Sequence, residues 1–192
     1  MSHIPLHTIG YGARDLDRFL AVLREQDISF VVDVRSRPYS RYKPDFSKEA
    51  LQQHLHDQQM RYIFLGEELG GRPDDPSCYD ADGKVNYALC AQREAYRAGI
   101  DRLREAYRLQ LRVVLMCSEG KPESCHRTKL IAETLTKEGI PVLHIDENDA
   151  LITHEEAMLR VIHGQPSLFG DDFFDFTSRK QYREPGTEDG TE

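Results

Sequence analysis

The chain has 192 residues, enough for one domain that buries roughly 70% of the surface its unfolded form exposes. Charged residues make up 30% of it, and no apolar stretch approaches the roughly 20 residues of a membrane-spanning helix, so we expect no membrane partner. The start of the chain lacks the basic and apolar regions of a secretory signal, which favours a cytoplasmic location. The four cysteines are therefore expected as thiols rather than as a disulfide framework.

The net charge of −8 argues against a uniformly basic nucleic-acid binder. The charge is uneven, however. Residues 164–192 hold seven acidic and three basic side chains, and so carry half of the net charge. The rest of the chain can still present a local basic surface.

The first half of the chain alternates strand and helix patterns. HTIGYG predicts a strand, and the apolar spacing after it predicts a helix from Leu16 with Asp15 as its N-cap. SFVVDVR is short and β-branched, which is typical of a buried parallel strand. Ser47 should begin a second helix that ends near Gln58. The segment MRYIFLGEELGG then predicts a third strand that runs into a glycine turn, followed by a polar surface loop.

The second half repeats the alternation. One long helix is predicted over residues 86–110, then the strand RVVLMC, then a helix over residues 125–137 with Ser124 as its N-cap. PVLHID predicts a fifth strand, and a last helix spans about residues 154–162.

Strands that alternate with helices of this length predict a single three-layer α/β domain with a mainly parallel sheet of about five strands and helices on both faces. We assign residues 1–163 to this domain. The strand and helix patterns stop at Gly164, so residues 164–192 are expected to form an acidic, largely disordered C-terminal tail.

The segment CSEGKPESCHR, residues 117–127, follows the fourth strand, and ligands of open α/β sheets bind beyond the carboxyl ends of the strands. A helix beginning there would place Cys125, His126 and Arg127 in its first turn, where free N–H groups and the helix dipole attract anions and lower a thiol pKa. Cys125 and His126 are thus candidate nucleophile and acid, and Glu119 is a candidate base. Cys117, at the end of an apolar run, is expected to be structural.

A metal site is the weaker interpretation of this segment. Cys117, Cys125 and His126 are ligand types, but zinc ligands usually come in repeated pairs two to four residues apart. Adjacent side chains on a helix also point about 100° apart. The sequence therefore predicts no metal and no other cofactor.

A basic loop, DVRSRPYSRYKPDF, follows the second strand. Its bases are interleaved with tyrosines, as in sites that bind phosphates and stack on bases or rings. Arg35, Arg37, Ser40 and Arg41 are the candidate substrate-binding residues, and Asp33 is a second candidate base. The alternative is a solvated loop whose arginines pair with surface acids.

Several separated motifs in one order, TIGYG, DVRSRPYSR, YIFLGEELGG and C-x-E followed by CHR, resemble the family called domain of unknown function 488 over residues 8–146. The resemblance implies no reaction. It implies that the family motif falls on Asp33, Arg35, Pro38, Ser40, Arg41, Cys117, Glu119, Cys125, His126 and Arg127.

A short segment of the tail, QPSLF, resembles the peptide through which bacterial replication and repair proteins bind the DNA sliding clamp. Gln165, Leu168 and Phe169 would be its anchor residues, since exposed apolar anchors on a flexible peptide are a common mode of recognition. The alternative is that these apolar side chains fold back on the domain.

The function expected from these patterns is that of an enzyme, a hydrolase or transferase, with an anion-binding site for a phosphorylated or nucleic-acid substrate, in which Arg35, Arg41 and Arg127 hold the anion. Two alternatives stay open: a non-catalytic nucleotide or nucleic-acid binding module recruited through its tail, and a thiol or zinc protein.

Overall fold

The computed structural model describes residues 3–162 and 176–182. Within them, the strands and helices follow in the order β1 (Leu6–Gly10), α1 (Leu16–Glu25), β2 (Phe30–Asp33), α2 (Lys48–Asp57), β3 (Arg61–Phe64), α3 (Gly66–Leu69), β4 (Lys84–Asn86), α4 (Tyr87–Cys90), α5 (Glu94–Arg108), β5 (Val113–Cys117), a π-helix (Arg127–Ala132) that continues into α6 (Glu133–Lys137), β6 (Val142–Ile145), β7 (Leu151–Thr153), α7 (His154–Val161) and β8 (Thr177–Gln181). No helix in these ranges has both the length and the apolar character needed to cross a membrane.

The main sheet has six strands in the order β3-β2-β5-β1-β6-β7, and all neighbours are parallel except β7, which is antiparallel to β6. The predicted α/β domain with a mainly parallel sheet is thus confirmed. The register sets Gly10 beside Cys117 and Asp33 beside Met116. The carboxyl ends of β1, β5 and β2 therefore lie next to one another, and the loops that follow them meet at one edge.

Each face of the sheet is covered by its own hydrophobic cluster. Along β5, Val114 and Met116 face the cluster that holds α1 and α2, while Leu115 and Cys117 face the cluster that holds α5 and the π-helix. Successive strand residues point to opposite faces, so β5 is buried on both sides and reads as a continuous apolar run.

Two helix predictions need correction. The long helix expected over residues 86–110 is two helices, because the Asn86 side chain caps α4 through the N–H groups of Ala88 and Leu89 and the chain turns before α5 begins at Glu94. The helix after β5 does not have Ser124 as its N-cap. Ser124 ends a 3-10 turn (Pro122–Ser124), and Cys125 has extended backbone angles, φ −121° and ψ 148°.

The C-terminal prediction is wrong for residues 176–182. They form β8, which pairs antiparallel with β4 in a second, two-stranded sheet, and Phe176 and Tyr182 pack against the core. The Val85 N–H donates to Ser178 Oγ at 2.9 Å, which fastens the segment to the domain. The QPSLF segment lies outside the described residues.

Candidate functional site

A cavity of about 270 Å³ lies at the carboxyl edge of the sheet, bordered by the loops after β1, β2 and β5 and by β8. The basic side chains that line it are Arg35, Arg37, Arg72, Arg179 and Lys180, and the acidic one is Glu119. Cys117, Cys125 and His126, called here the Cys–His cluster, line it as well. We call this pocket the cationic cavity. It is a local excess of positive charge on a chain whose net charge is −8.

Arg35 is the buried cation of the cavity, with 5% of its surface exposed. Its Nε and Nη2 donate to the carboxylate of Asp33 at 2.9 and 2.6 Å, and its Cζ lies 5.5 Å from the centre of the Tyr11 ring. Burial alone would lower the pKa of Arg35, but the hydrogen bonds and charge of Asp33 raise it. The third nitrogen, Nη1, is buried and has no hydrogen-bond partner among the described residues.

Asp33 does not have the position of a base. The carboxylate is fully buried and accepts hydrogen bonds from the Arg35 guanidinium and from the hydroxyl of Tyr62 at 2.7 Å. Burial and the neighbouring Asp33 charge raise the pKa of Tyr62, so this hydroxyl stays a donor. Asp33 therefore positions Arg35 and lies behind it, away from the cavity lining.

The two thiols of the Cys–His cluster are in direct contact. Cys125 Sγ donates to Cys117 Sγ at 3.0 Å, and both residues are buried. This hydrogen bond, with His126 and Arg127 nearby, lowers the pKa of Cys117, whereas burial and the adjacent sulfur raise the pKa of Cys125. The sequence favoured Cys125 as the thiolate, and the hydrogen-bond direction favours Cys117 instead.

His126 is fixed by contacts on both sides of its ring. Its Nε2 lies 3.1 Å from the carbonyl oxygen of Val34 and its Nδ1 lies 3.5 Å from Cys125 Sγ. A carbonyl only accepts, so Nε2 carries the proton and Nδ1 turns its lone pair to the thiols. Gly71 makes room for the ring, since a Cβ at that position would lie 2.7 Å from His126 Cγ and Nδ1.

Cys125 and His126 do not diverge as neighbours on a helix would. Because Cys125 is extended and the helix begins after it, the two side chains converge, and the ligand atoms of Cys117, Cys125 and His126 all lie within 4.8 Å of one another. Cys125 and His126 are therefore not separated by the roughly 100° rotation of helical neighbours, which the sequence predicted for them.

Arg127 has a structural position rather than an anion-binding one. It is fully buried, donates to the carbonyl oxygens of Glu119 and Gly120, and is not part of the cavity lining. These bonds hold the loop after β5. The same loop packs closely on the TIGYG segment, where a Cβ on Gly10 would overlap the Glu119 carbonyl.

The predicted residues of the basic loop divide into two groups. Arg35 and the exposed Arg37 line the cationic cavity. Ser40 instead hydrogen-bonds through its N–H to Ser47 Oγ, and Arg41 is exposed, so neither belongs to the lining. Glu119 lines the cavity, and Arg179 Nη2 lies 3.5 Å from its carboxylate.

Three basic residues of the cavity were missed from the sequence. Arg72 follows the glycine pair after β3 and stacks on the Tyr182 ring, with its Cζ 4.1 Å from the ring centre. Arg179 and Lys180 come from β8, inside the acidic tail. The adjacent bases in FTSRKQY were a usable signal, since they interrupt a run that is otherwise acidic.

These features define a class: a single α/β domain with a cationic, thiol-containing cavity at the carboxyl edge of a mainly parallel sheet. The family model described as domain of unknown function DUF488 matches residues 15–135, and the chain belongs to this family. The match includes Arg35 and the whole Cys–His cluster, while β8 lies beyond it. A comparison with the curated proteins found no match to this chain.

Proposed function

We propose that this protein is an enzyme, a hydrolase or transferase, that binds a phosphate-bearing substrate in the cationic cavity. The observation that carries the proposal is Arg35: a buried guanidinium, held by Asp33, that borders the cavity with one amino group lacking an acceptor. An unsatisfied buried donor costs about 1–3 kcal/mol, and more when it is charged. A phosphate oxygen in the cavity would supply that acceptor.

The other lining residues suit a phosphate next to a ring. Arg37, Arg72, Arg179 and Lys180 add charge without a matching number of acids, and arginine and lysine are the usual ligands of phosphate oxygens. Tyr39 also lines the cavity, with 73% of its surface exposed, and offers a face on which a base can stack.

The size of the cavity indicates a small substrate. Its volume of about 270 Å³ lies just below the range of roughly 300–1,000 Å³ found for small-molecule sites. One nucleotide-sized unit therefore fits better than a duplex. A strand of nucleic acid would place only one terminal or extruded nucleotide here.

We assign the reacting group to the Cys–His cluster, because a thiolate is a stronger nucleophile than the serine hydroxyls that also line the cavity. Glu119, at its rim, is the candidate base, and His126 is the candidate acid or base. Asp33, Arg41 and Arg127 have no direct part in this proposal, because none of them lines the cavity.

Binding is tested with a matched pair of variants. Arg37 and Arg41 are both exposed, lie in the same loop and carry the same charge, but only Arg37 lines the cavity. Calorimetric titration with inorganic phosphate and with nucleoside monophosphates should show Arg37→Gln weakening binding about 5- to 20-fold, the effect of one charge-assisted hydrogen bond. Arg41→Gln should stay within about twofold. Equal losses in both variants would reduce the effect to general surface charge.

Turnover is tested separately with a panel of phosphate monoesters, diesters and nucleotides. The wild type should release product from at least one of them, and Cys117→Ser, which removes the favoured thiolate, should lose that activity while still binding phosphate. Binding without turnover of any compound in the wild type would assign the protein to the non-catalytic binding modules.

A further inference from the structure

The Cys–His cluster brings together three side chains that commonly bind zinc. Cys117 is the last residue of β5, Cys125 is the extended residue before the π-helix, and His126 follows it. Their ligand atoms lie within 4.8 Å of one another. Within the described residues, no other three histidine, cysteine or acidic side chains come together in this way. Because the three residues come from a strand end and a loop fastened by Arg127, their positions are set by the fold.

The histidine has the orientation of a metal ligand before any metal is bound. Metal-binding histidines usually donate their other ring N–H to a carboxylate or a backbone carbonyl, which fixes the tautomer. His126 Nε2 meets the carbonyl oxygen of Val34 at 3.1 Å, and Nδ1 is left on the side of the thiols. Gly71, by leaving space for the ring, makes this orientation sterically possible.

The distances approach those of tetrahedral zinc. The adjustments fall on the sulfur pair and on the pair formed by Cys117 and His126, whose ligand atoms lie within 4.8 Å of each other. Bonds of about 2.3 Å to sulfur and about 2.0–2.1 Å to nitrogen put a sulfur and a nitrogen ligand roughly 3.5 Å apart and two sulfurs roughly 3.7 Å apart. The Cys125 Sγ to His126 Nδ1 distance is 3.5 Å, and the two sulfurs are 3.0 Å apart. The sulfurs would therefore separate by roughly 0.7 Å when a metal binds between them.

We propose that Cys117, Cys125 and His126 bind one zinc ion and leave its fourth position open to the cationic cavity. Three protein ligands with an open position are typical of catalytic rather than structural zinc sites. The role of that open position rests on the proposed function. With zinc bound, the thiols and His126 would serve as ligands, and a water or a substrate oxygen at the open position would replace the thiol as the reacting group beside the phosphate bound by Arg35 and Arg37. Zinc binding itself does not depend on it.

The experiment uses the full chain, reduced and freed of metal by a chelator. Addition of Co²⁺, a spectroscopic substitute for Zn²⁺, should produce thiolate-to-metal charge-transfer absorption and the intense visible bands of a tetrahedral site. Back-titration with Zn²⁺ should remove them at one equivalent per chain. Wild-type protein that shows neither band nor any zinc by elemental analysis would overturn the proposal.

Matched variants localise the site. Cys125→Ser and His126→Gln should each weaken zinc binding at least about 10-fold, in the range seen when metal sites lose a supporting interaction. Cys90→Ser also removes a buried thiol, but Cys90 is outside the cluster, so its zinc affinity should stay within about twofold. Unchanged affinity in Cys125→Ser, or an equal loss in Cys90→Ser, would contradict the assignment. Circular dichroism checks that each variant is folded, and the cobalt spectrum of the wild type decides the question if Cys125→Ser does not fold.

The zinc proposal and the proposed function fail in different ways. Zinc binding with no phosphate binding would refute the function and keep the metal site. Phosphate binding and turnover in a wild-type protein that gives no cobalt bands and holds no zinc would refute the zinc proposal and keep the function.

Discussion

We expect mild acid to destabilise the fold because of a buried histidine on β6. His144, on β6, is fully buried between Thr8 and His154, with its Nδ1 2.8 Å from Thr8 Oγ1 and its Nε2 3.1 Å from His154 Nδ1. His154 Nε2 lies 2.9 Å from the carboxylate of Glu133. Since that carboxylate accepts, the protons run in one direction, from the Thr8 hydroxyl to His144, from His144 to His154, and from His154 to Glu133.

Burial, then His154 and Arg127, lower the pKa of His144 from 6.5 to about 2. The unfolded chain takes up a proton near pH 6.5 and the folded chain does not, so the contribution of His144 is present above that pH and is lost as the pH falls. Between pH 7 and pH 5 the loss is about 1.9 kcal/mol of unfolding free energy. Burial also lowers the pKa of His7, so this residue further reduces the unfolding free energy as the pH falls. The hydrogen bond from His154 lowers the pKa of Glu133 from 4.5, so Glu133 reduces the unfolding free energy only at lower pH.

Urea denaturation at pH 7, 6 and 5 measures this loss. The unfolding free energy of the wild type should fall by at least about 1.9 kcal/mol from pH 7 to pH 5. His144→Gln keeps an amide donor for His154 but does not titrate, so its unfolding free energy should fall by about 1.9 kcal/mol less than that of the wild type. A flat profile for the wild type, or the same slope in both proteins, would refute the assignment of a neutral buried His144.

Three further predictions concern the cavity and the tail. Gly71→Ala should displace the His126 ring, lower the unfolding free energy by about 1–3 kcal/mol and weaken zinc binding. Gly120→Ala should be tolerated, because a Cβ there would lie 3.5 Å from its nearest neighbour. Equal stability of the two variants by thermal melting would count against this packing explanation. A chain that ends after residue 175 lacks Arg179 and Lys180 and should bind phosphate at least about fivefold more weakly by calorimetry. A chain that ends after residue 182 keeps both residues and should bind as the wild type does. Equal affinities of the two truncated chains would show that β8 has no part in the site. Pull-down with the DNA sliding clamp should retain the wild type and lose Leu168→Ala/Phe169→Ala, and equal retention would remove the proposed clamp interaction.

The sheet could be predicted because its strands are short, apolar and buried on both faces. The apolar, β-branched runs FVVD and VVLMC are typical of parallel strands. Parallel strands bring the loops after β2 and β5 to the same edge of the sheet. For that reason the sequence alone predicts that the polar side chains after these strands lie near the carboxyl edge. The sequence did not predict β4, β7 and β8. Strands of three to five residues that include polar positions, such as TSRKQ, show too little hydrophobic periodicity to be recognised.

The roles within the site depended on facts that residue types do not carry. Asp33 and Arg127 are the residue types of a base and an anion ligand, but one binds a neighbouring arginine and the other binds two carbonyl oxygens. The convergence of Cys125 and His126 depends on one extended residue where a helical one was expected. A shift of one residue in a helix start changes the directions of all the side chains near it, and boundaries are the least certain part of sequence reasoning.

The central claim is that an anion binds beside the Arg35 guanidinium. Side-chain NMR of protein carrying ¹⁵N-labelled arginine, titrated with inorganic phosphate, tests it most directly. The Arg35 and Arg37 guanidinium signals should shift saturably, and those of Arg41 and the carbonyl-bound Arg127 should not move. Saturable shifts confined to Arg41, or no shift at Arg35 while phosphate binds elsewhere, would contradict it.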